Sequence, residues 1–371
     1  MSPSLRLIHR YLSLTFAALW LMQALTGAIL VFHWELDDWS VRGPAGPLDV
    51  AAFSRALQAY PAAYPGHVVS AVYASGGESG RFDVMLDRSD GHQDVLRVDG
   101  RGEVLRERPS DYDWPDIGPY QIATYLHQTL FAGDRGQWFL GVSGVLLLSN
   151  LHLGLTLAWP RAGQWTRALR PSPGRTPAMG LFAWHRALGL WLGVLGVTAV
   201  ALGICMAFED PLGDLIADPR PSPSLAVAGS IPERATPVTP AEALRAGMGL
   251  YPGSPLASLV LPAPDWPWYR VRVVQPGEWR RVQGLTTIYV SSRDGRILAN
   301  DDALRAPLAN RAYDSLYALH TGEAGGLATR WLAVIIGVWL AAMVGLGVGL
   351  WFVRRSARGR ASAARGGRPP S

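Results

Sequence analysis

Four stretches of the chain, Tyr11 to Phe32, Trp138 to Trp159, Ala187 to Phe208 and Trp331 to Val353, contain no Asp, Glu or Arg. Each is 22 or 23 residues long. At about 1.5 Å per helical residue, such a stretch spans the roughly 30 Å hydrocarbon layer of a bilayer. Four membrane helices are therefore predicted, with the lipid bilayer as their surroundings. The first stretch exceeds the about 7–15-residue core of a secretory signal and no small-x-small site follows it, so it is expected to stay uncleaved.

Arginine sets the expected orientation. All 34 basic residues are Arg, and thirteen of them, with no acidic residue among them, flank the apolar stretches: Arg6 and Arg10, Arg161, Arg167, Arg170, Arg175 and Arg186, and Arg354, Arg355, Arg358, Arg360, Arg365 and Arg368. Short cytoplasmic flanks hold Arg more often than exported ones. Both termini and the loop 161–180 are thus expected in the cytoplasm. The remaining segments set 21 Arg against all 29 Asp and Glu, so they carry a net negative charge. The formal net charge of +5 is then a topology signal, and nucleic acid is not an expected partner. The absence of Lys excludes Schiff-base chemistry and a P-loop. The single Cys205 excludes a disulfide framework and cysteine-based zinc or iron–sulfur sites.

The chain reads as a repeat. His9-Arg10 is followed by Gly27 eighteen residues after the histidine, and His185-Arg186 by Gly203 at the same interval. Leu126-His127 precedes the second apolar stretch and Leu319-His320 the fourth. One unit of helix, exported module and helix occurs twice, and both copies start on the same side, so the repeats are parallel. The first module is expected to hold a helix over Leu48–Tyr60 and strands near His67–Tyr73, Phe82–Asp87 and Val95–Val98. The second has a Thr239 N-cap with Glu242 at the capping-box position, a helix to about Leu250, and strands near Ser258–Leu261, Trp268–Val274 and Thr287–Val290. Each closes on a hairpin, Val98 to Leu105 and Val290 to Leu298. The runs Pro219–Ser224 and Ile231–Pro240 read as linkers.

The His-Arg helix starts, the Leu-His before helices 2 and 4, the apolar spans ending in Trp then Arg, and the two Val-Asp-x-x-Gly-Glu-Val-Leu-like hairpins resemble the PepSY-associated transmembrane family. Within it the nearest analogy is to bacterial inner-membrane ferric-siderophore reductases. The resemblance implies an α+β membrane protein: a four-helix transmembrane bundle made from two parallel helix–module–helix repeats, with two small PepSY-like periplasmic modules. The expected division is helix 1 over 1–33, module 1 over 34–126, helix 2 over 127–160, the Arg-rich loop over 161–180, helix 3 over 181–208, module 2 over 209–318, helix 4 over 319–355 and a disordered tail over 356–371. It also implies two b-type haems between the helices.

Six of the eight histidines lie in or at the ends of the membrane segments, where an ionisable side chain marks function by default. His67 and His92 read as ordinary surface residues. His9, His152 and His185 form a cytoplasmic-side layer and His33, His127 and His320 an outer one. A b haem takes two imidazoles from different helices at matching depth, and cations for its propionates. Arg6, Arg10 and Arg186 stand beside the inner layer, and Arg135, Arg311 and Arg330 near the outer. Symmetry favours His9 with His185 and His127 with His320. The lack of a histidine equivalent to His152 in helix 4 favours instead an inner haem on His152 with His9 or His185, and an outer haem on two of His33, His127 and His320.

No Gly-rich fingerprint for a nicotinamide or flavin occurs, so the electron donor is expected to be a separate molecule, a quinol or a cytoplasmic reductant. The expected function is a two-haem oxidoreductase that passes electrons outward to a ferric siderophore. The negative exported segments would favour a cationic chelate. The alternatives are a non-catalytic tethered PepSY pair binding a peptidase or envelope partner, and an electron-transfer subunit for another exported reductase. His33-Trp34-Glu35-Leu36-Asp37-Asp38 reads as an acidic amphipathic turn rather than a metal site. Trp266, Trp268 and Trp279 read as lining a ligand cleft or packing on helix tops.

Overall fold

The computed structural model describes residues 3–77, 79–109, 118–171, 173–225, 229, 231–232, 234 and 236–366. The first apolar stretch does not form one straight helix. α1 (Pro3–Thr15) and α2 (Ala17–Leu30) meet at Phe16 with a bend of 64°. No Pro or Gly stands there. The Ser13 hydroxyl donates to the His9 carbonyl at 2.7 Å and receives the Asn150 amide at 2.9 Å. Such hydroxyl-to-backbone bonding competes with the helical ladder and bends helices. A short α3 (His33–Trp39) follows.

The second stretch is preceded by its own helix, α5 (Pro119–Gln128), separated from α6 (Gly133–Ala158) by a turn in which Leu130, Phe131 and Gly133 all have positive φ. Gly136 seals that turn: a Cβ there would strike the Thr129 carbonyl. α7 (Trp165–Leu169) is a single turn, and α8 (Pro177–Ala207) is continuous. The last stretch repeats the arrangement of the second, with α11 (Leu308–Thr321), a 3₁₀ turn (Glu323–Gly325) and α12 (Gly326–Gly366). α12 runs on as helix through residues 356–366, which were expected to be a disordered tail. Among the described residues, α6, α8 and α12 are long and apolar enough to cross a membrane, and α1 with α2 gives a fourth if the bent pair is one span.

α6 packs on α8, α12 on both α2 and α8, and α1 on α6. Several glycines of the spans receive side chains of neighbouring helices. Gly141 meets Phe208, Gly144 meets Ile204, Gly193 meets Leu155, and Gly196 meets the ring of buried Trp339. This is close helix packing of the small-residue kind.

Outside the spans lie α4 (Val50–Ala63), β1 (His67–Ala74), β2 (Arg81–Arg88), β3 (Gln93–Asp99) and β4 (Val104–Pro109), then α9 (Glu209–Ile216), α10 (Pro240–Gly249), β5 (Leu256–Val260), β6 (Trp268–Val273), β7 (Thr286–Ser291) and β8 (Ile297–Asp301). The expected helices and strands all form. The two expected modules do not stand apart. Their strands make one antiparallel eight-stranded sheet in the order β4-β3-β2-β1-β5-β6-β7-β8, joined where Val72 lies opposite Leu259. α4 and α10 cover one face, and Phe53, Leu57 and Leu244 pack there on Val72, Val84, Leu259, Val271 and Ile288 in a single core. An edge β1 or β5 would expose unpaired backbone and apolar side chains; each supplies the other's missing neighbour.

Alternation puts a polar row on the opposite face. Arg97, Asp83, Tyr73, Ser258, Arg272, Thr287 and Asp301 lie side by side across six strand pairings. α3 docks on this face. Arg97 bonds Asp37 at 2.9 Å, and also Asp38 and Asp83, while Arg106 reaches Asp37 at 2.7 Å. The acidic turn at the end of α2 is thus the joint between span and sheet.

Candidate cofactor site between paired histidines

Four of the six membrane-segment histidines come together as two pairs. His9 on α1 faces His185 on α8 with ring centroids 6.4 Å apart and planes at 62°. His127 on α5 faces His320 on α11 with centroids 6.3 Å apart and planes at 27°. The structure thus forms the symmetric pairings. Each pair takes one ring from the first half of the chain and one from the second.

Every one of these rings sits on a glycine of a neighbouring helix. A Cβ on Gly154 would lie 3.1 Å from His9 Cε1, on Gly347 3.5 Å from His185 Cε1, on Gly27 2.8 Å from His127 Cε1 and on Gly203 3.1 Å from His320 Cε1. Gly27 and Gly203 had been marked by their shared spacing. Gly154 and Gly347 share one too, 27 residues after His127 and His320 respectively, a signal in the sequence that had not been used. The seats hold the rings at two levels. From His185 to Gly203 is about 27 Å along α8 at about 1.5 Å per residue.

The second nitrogen of each ring has its own environment. His9 Nδ1 lies 3.2 Å from the Asn150 carbonyl and His127 Nδ1 3.1 Å from the Thr26 hydroxyl, contacts that orient the imidazoles. His185 Nδ1 and His320 Nδ1 are buried without a hydrogen-bond partner among the described residues.

His152 and His33 are not in these pairs. Asn150 and Gly154, which both touch His9, are four residues apart on one face of α6, so His152 between them points the other way and is exposed. His33 Nδ1 lies 2.5 Å from the Leu30 carbonyl and its ring leans on Trp34 at 4.6 Å. Of the arginines expected beside the pairs, Arg186 bonds the Ala158 carbonyl at the end of α6 at 3.0 Å, and Arg10 stacks over Tyr11 at 5.0 Å. Arg330 is tied to Glu35 at 2.6 Å and to the Val31 carbonyl at 2.7 Å, and lies over Phe32. In the sheet, His67 bonds Asp94 at 2.8 Å. Trp266 and Trp279 are about half exposed.

Among the described residues no group of three or more His, Cys, Asp or Glu side chains is disposed to hold a metal ion. The repeated motif is a facing pair of imidazoles, each braced on a backbone without a side chain.

Helices of membrane-spanning length, an antiparallel sheet outside them and histidines paired between helices define a helical membrane protein with a single extramembrane α+β domain. The chain belongs to the PepSY-associated TM region family, whose match covers residues 6–354. No curated protein gives a comparable match.

Proposed function

We propose that the protein is a haem-carrying electron conduit of a bacterial inner membrane that reduces a ferric siderophore on the exported side. In this reading α1 with α2, α6, α8 and α12 form a four-helix bundle of two parallel repeats. The Arg-rich ends lie in the cytoplasm and the sheet in the periplasm. The observation that carries the reading is the pair of facing, glycine-seated histidines at each of two levels.

The donor set fits the cofactor. His9 with His185 and His127 with His320, facing imidazoles from different helices, are the side chains that would hold the group, imidazole being a haem-iron ligand. With ring centroids 6.4 and 6.3 Å apart, each facing pair leaves room between its imidazoles for one metal. Two imidazoles alone make a poor site for a bare ion, whereas a porphyrin brings four equatorial donors of its own. His9 with His185 would hold one b haem and His127 with His320 the other; bound there, haem supplies reversible one-electron transfer. The chain's own part is to fix ring orientation through Asn150 and Thr26 and to keep the pairs dry. Electrons would come from a quinol or a cytoplasmic reductant and leave beneath the sheet. Reduction of the chelate suits iron release because hard oxygen ligands hold ferric iron better than ferrous.

The test is an oxidised and a reduced visible spectrum of detergent-purified protein with a haem extraction. A sharp reduced α band and about two haems per chain are expected. His127→Ala and His185→Ala should each lower the content to about half, and His152→Ala should leave it unchanged. A colourless protein after expression with ample haem would return the histidines to a structural role.

A further inference from the structure

The polar face of the sheet is neutralised in its first half and not in its second. Arg97, Arg106 and Arg81 engage Asp37, Asp38 and Asp83. Arg220 engages Asp301 and Asp314, and Glu35 is shared by Arg281 and Arg330. Arg270 and Arg272, two residues apart on β6, point to this same face beside Tyr289 and Thr287. Arg272 has one hydrogen bond among the described residues, to the neutral Thr287 hydroxyl at 3.3 Å. Among the described residues the Arg270 guanidinium has neither a hydrogen bond nor an ion pair. The loop between β6 and β7 adds Arg280, whose Nε is buried without a partner among the described residues and which bonds Gln283 there at 3.4 Å.

These guanidinium groups feel one another. Burial, then Arg270 and Arg280, depress the Arg272 pKa, while Tyr289 and Tyr73 act the other way. Glu323, a buried carboxyl that acts on Arg280, is shared with Arg281 and Arg330, and like charges brought together out of water with too few counter-ions are costly unless something negative completes the set. The cluster also has a defined place. Arg280 stacks over Tyr317 at 4.5 Å, and Tyr317 lies three residues before His320 on the same face of α11. Beside it, Trp34 of α3 and Val282 of the loop both close on Gly76, so the loop and the helix ends meet under the sheet.

The geometry points to an anion-binding site made by Arg270, Arg272 and Arg280, and hence to a ferric chelate bearing net negative charge, through free carboxylate or phenolate groups, as the substrate. The assignment rests on the reductase reading for its ferric substrate and on the arginine cluster for its charge. It reverses the preference for a cationic chelate that the overall charge of the exported segments suggests, because the side chains left without ion pairs at this cluster are arginines. Guanidinium forks suit carboxylate oxygens in particular.

The test is binding of gallium citrate, a redox-inert stand-in for ferric citrate, to detergent-purified wild type, followed by tryptophan fluorescence. Saturable binding is expected, weakening as NaCl rises from 0.05 to 0.5 M. Arg272→Gln and Arg280→Gln should each weaken it about tenfold or more. Arg305→Gln, at an exposed pair with Asp302, should not. Arg270→Lys, which keeps the charge, guards against misfolding and should lose less than Arg270→Gln. Uncharged gallium ferrichrome should bind at least tenfold more weakly than gallium citrate. Equal affinity for the two chelates, or no effect of any of the three arginines, would overturn the inference. So would variants that lose haem while binding gallium citrate normally, since the anion would then be a haem propionate. Gallium citrate binding is independent of redox chemistry, so a colourless protein that binds it overturns the reductase reading alone.

Discussion

At the scale of single residues the site depends on atoms that are missing as much as on those present. A Cβ on Gly27 would lie 2.8 Å from His127 Cε1, closer than real Cβ contacts, whereas one on Gly347 would lie at an ordinary 3.5 Å from His185. Gly27→Ala is therefore expected to tilt the His127 ring and, with the proposed haem bound, to lower or distort the reduced α band, while Gly347→Ala should leave that band in place; reduced-minus-oxidised spectra at equal protein concentration check both. The histidine types and intervals were legible in the sequence, and His9 with His185 and His127 with His320 are the repeat-equivalent pairs. The expected pairing of His152 with His9 or His185 is not formed, because equal depth along two helices does not set the same helix phase. The phase was available in Asn150 and Gly154, which share one face of α6 and turn His152 to the other. Arg270 and Arg272 were passed over because an alternating strand shows which residues share a face but not what lies opposite that face.

At the scale of elements, local chemistry was the most legible. The Thr239 capping box forms as read, with Thr239 Oγ1 accepting from Glu242 N and Glu242 Oε2 accepting from Thr239 N at 2.8 Å. Thr239→Ala should cost about 0.5–2 kcal/mol at the start of α10 and speed hydrogen exchange of its first-turn amides. The Thr239 backbone bond, with Arg234 beside it, holds the Glu242 carboxyl down to about 2 from its ordinary 4.5. A depressed carboxyl stabilises the fold above its unfolded value and loses that contribution as pH falls from about 4.5 toward 2. Thermal melts of wild type and Glu242→Gln should accordingly differ at pH 6 and converge near pH 2. The bend at Phe16 was not legible: an unbroken apolar run says nothing about a Ser13 hydroxyl that finds Asn150 across a helix interface. Nor was the split of α5 from α6, which rests on positive φ at Leu130 and Phe131, residues that carry no turn signal.

At the scale of the whole molecule the seam between β1 and β5 is decisive. Each module's strands could be read from alternation, but their fusion into one sheet is a long-range pairing that no local pattern encodes. Leu259 is fully buried and lies opposite Val72 across that seam. Leu259→Asp would bury an unpaired charge in the shared core and should release both halves together. Pulsed hydrogen exchange should then show protection lost in β2 and β7 alike; loss confined to β6 and β7 would mean two independent domains. The seam has a further consequence for the histidines. Each pair takes one jaw from either half of the chain, so the two pairs resemble two vices on one frame, whose halves are bolted together twice, by the β1–β5 seam and by the packing of α6 on α8 and α12 on α2. Prising the halves apart must unzip β1 from β5 and also part α6 from α8 and α12 from α2.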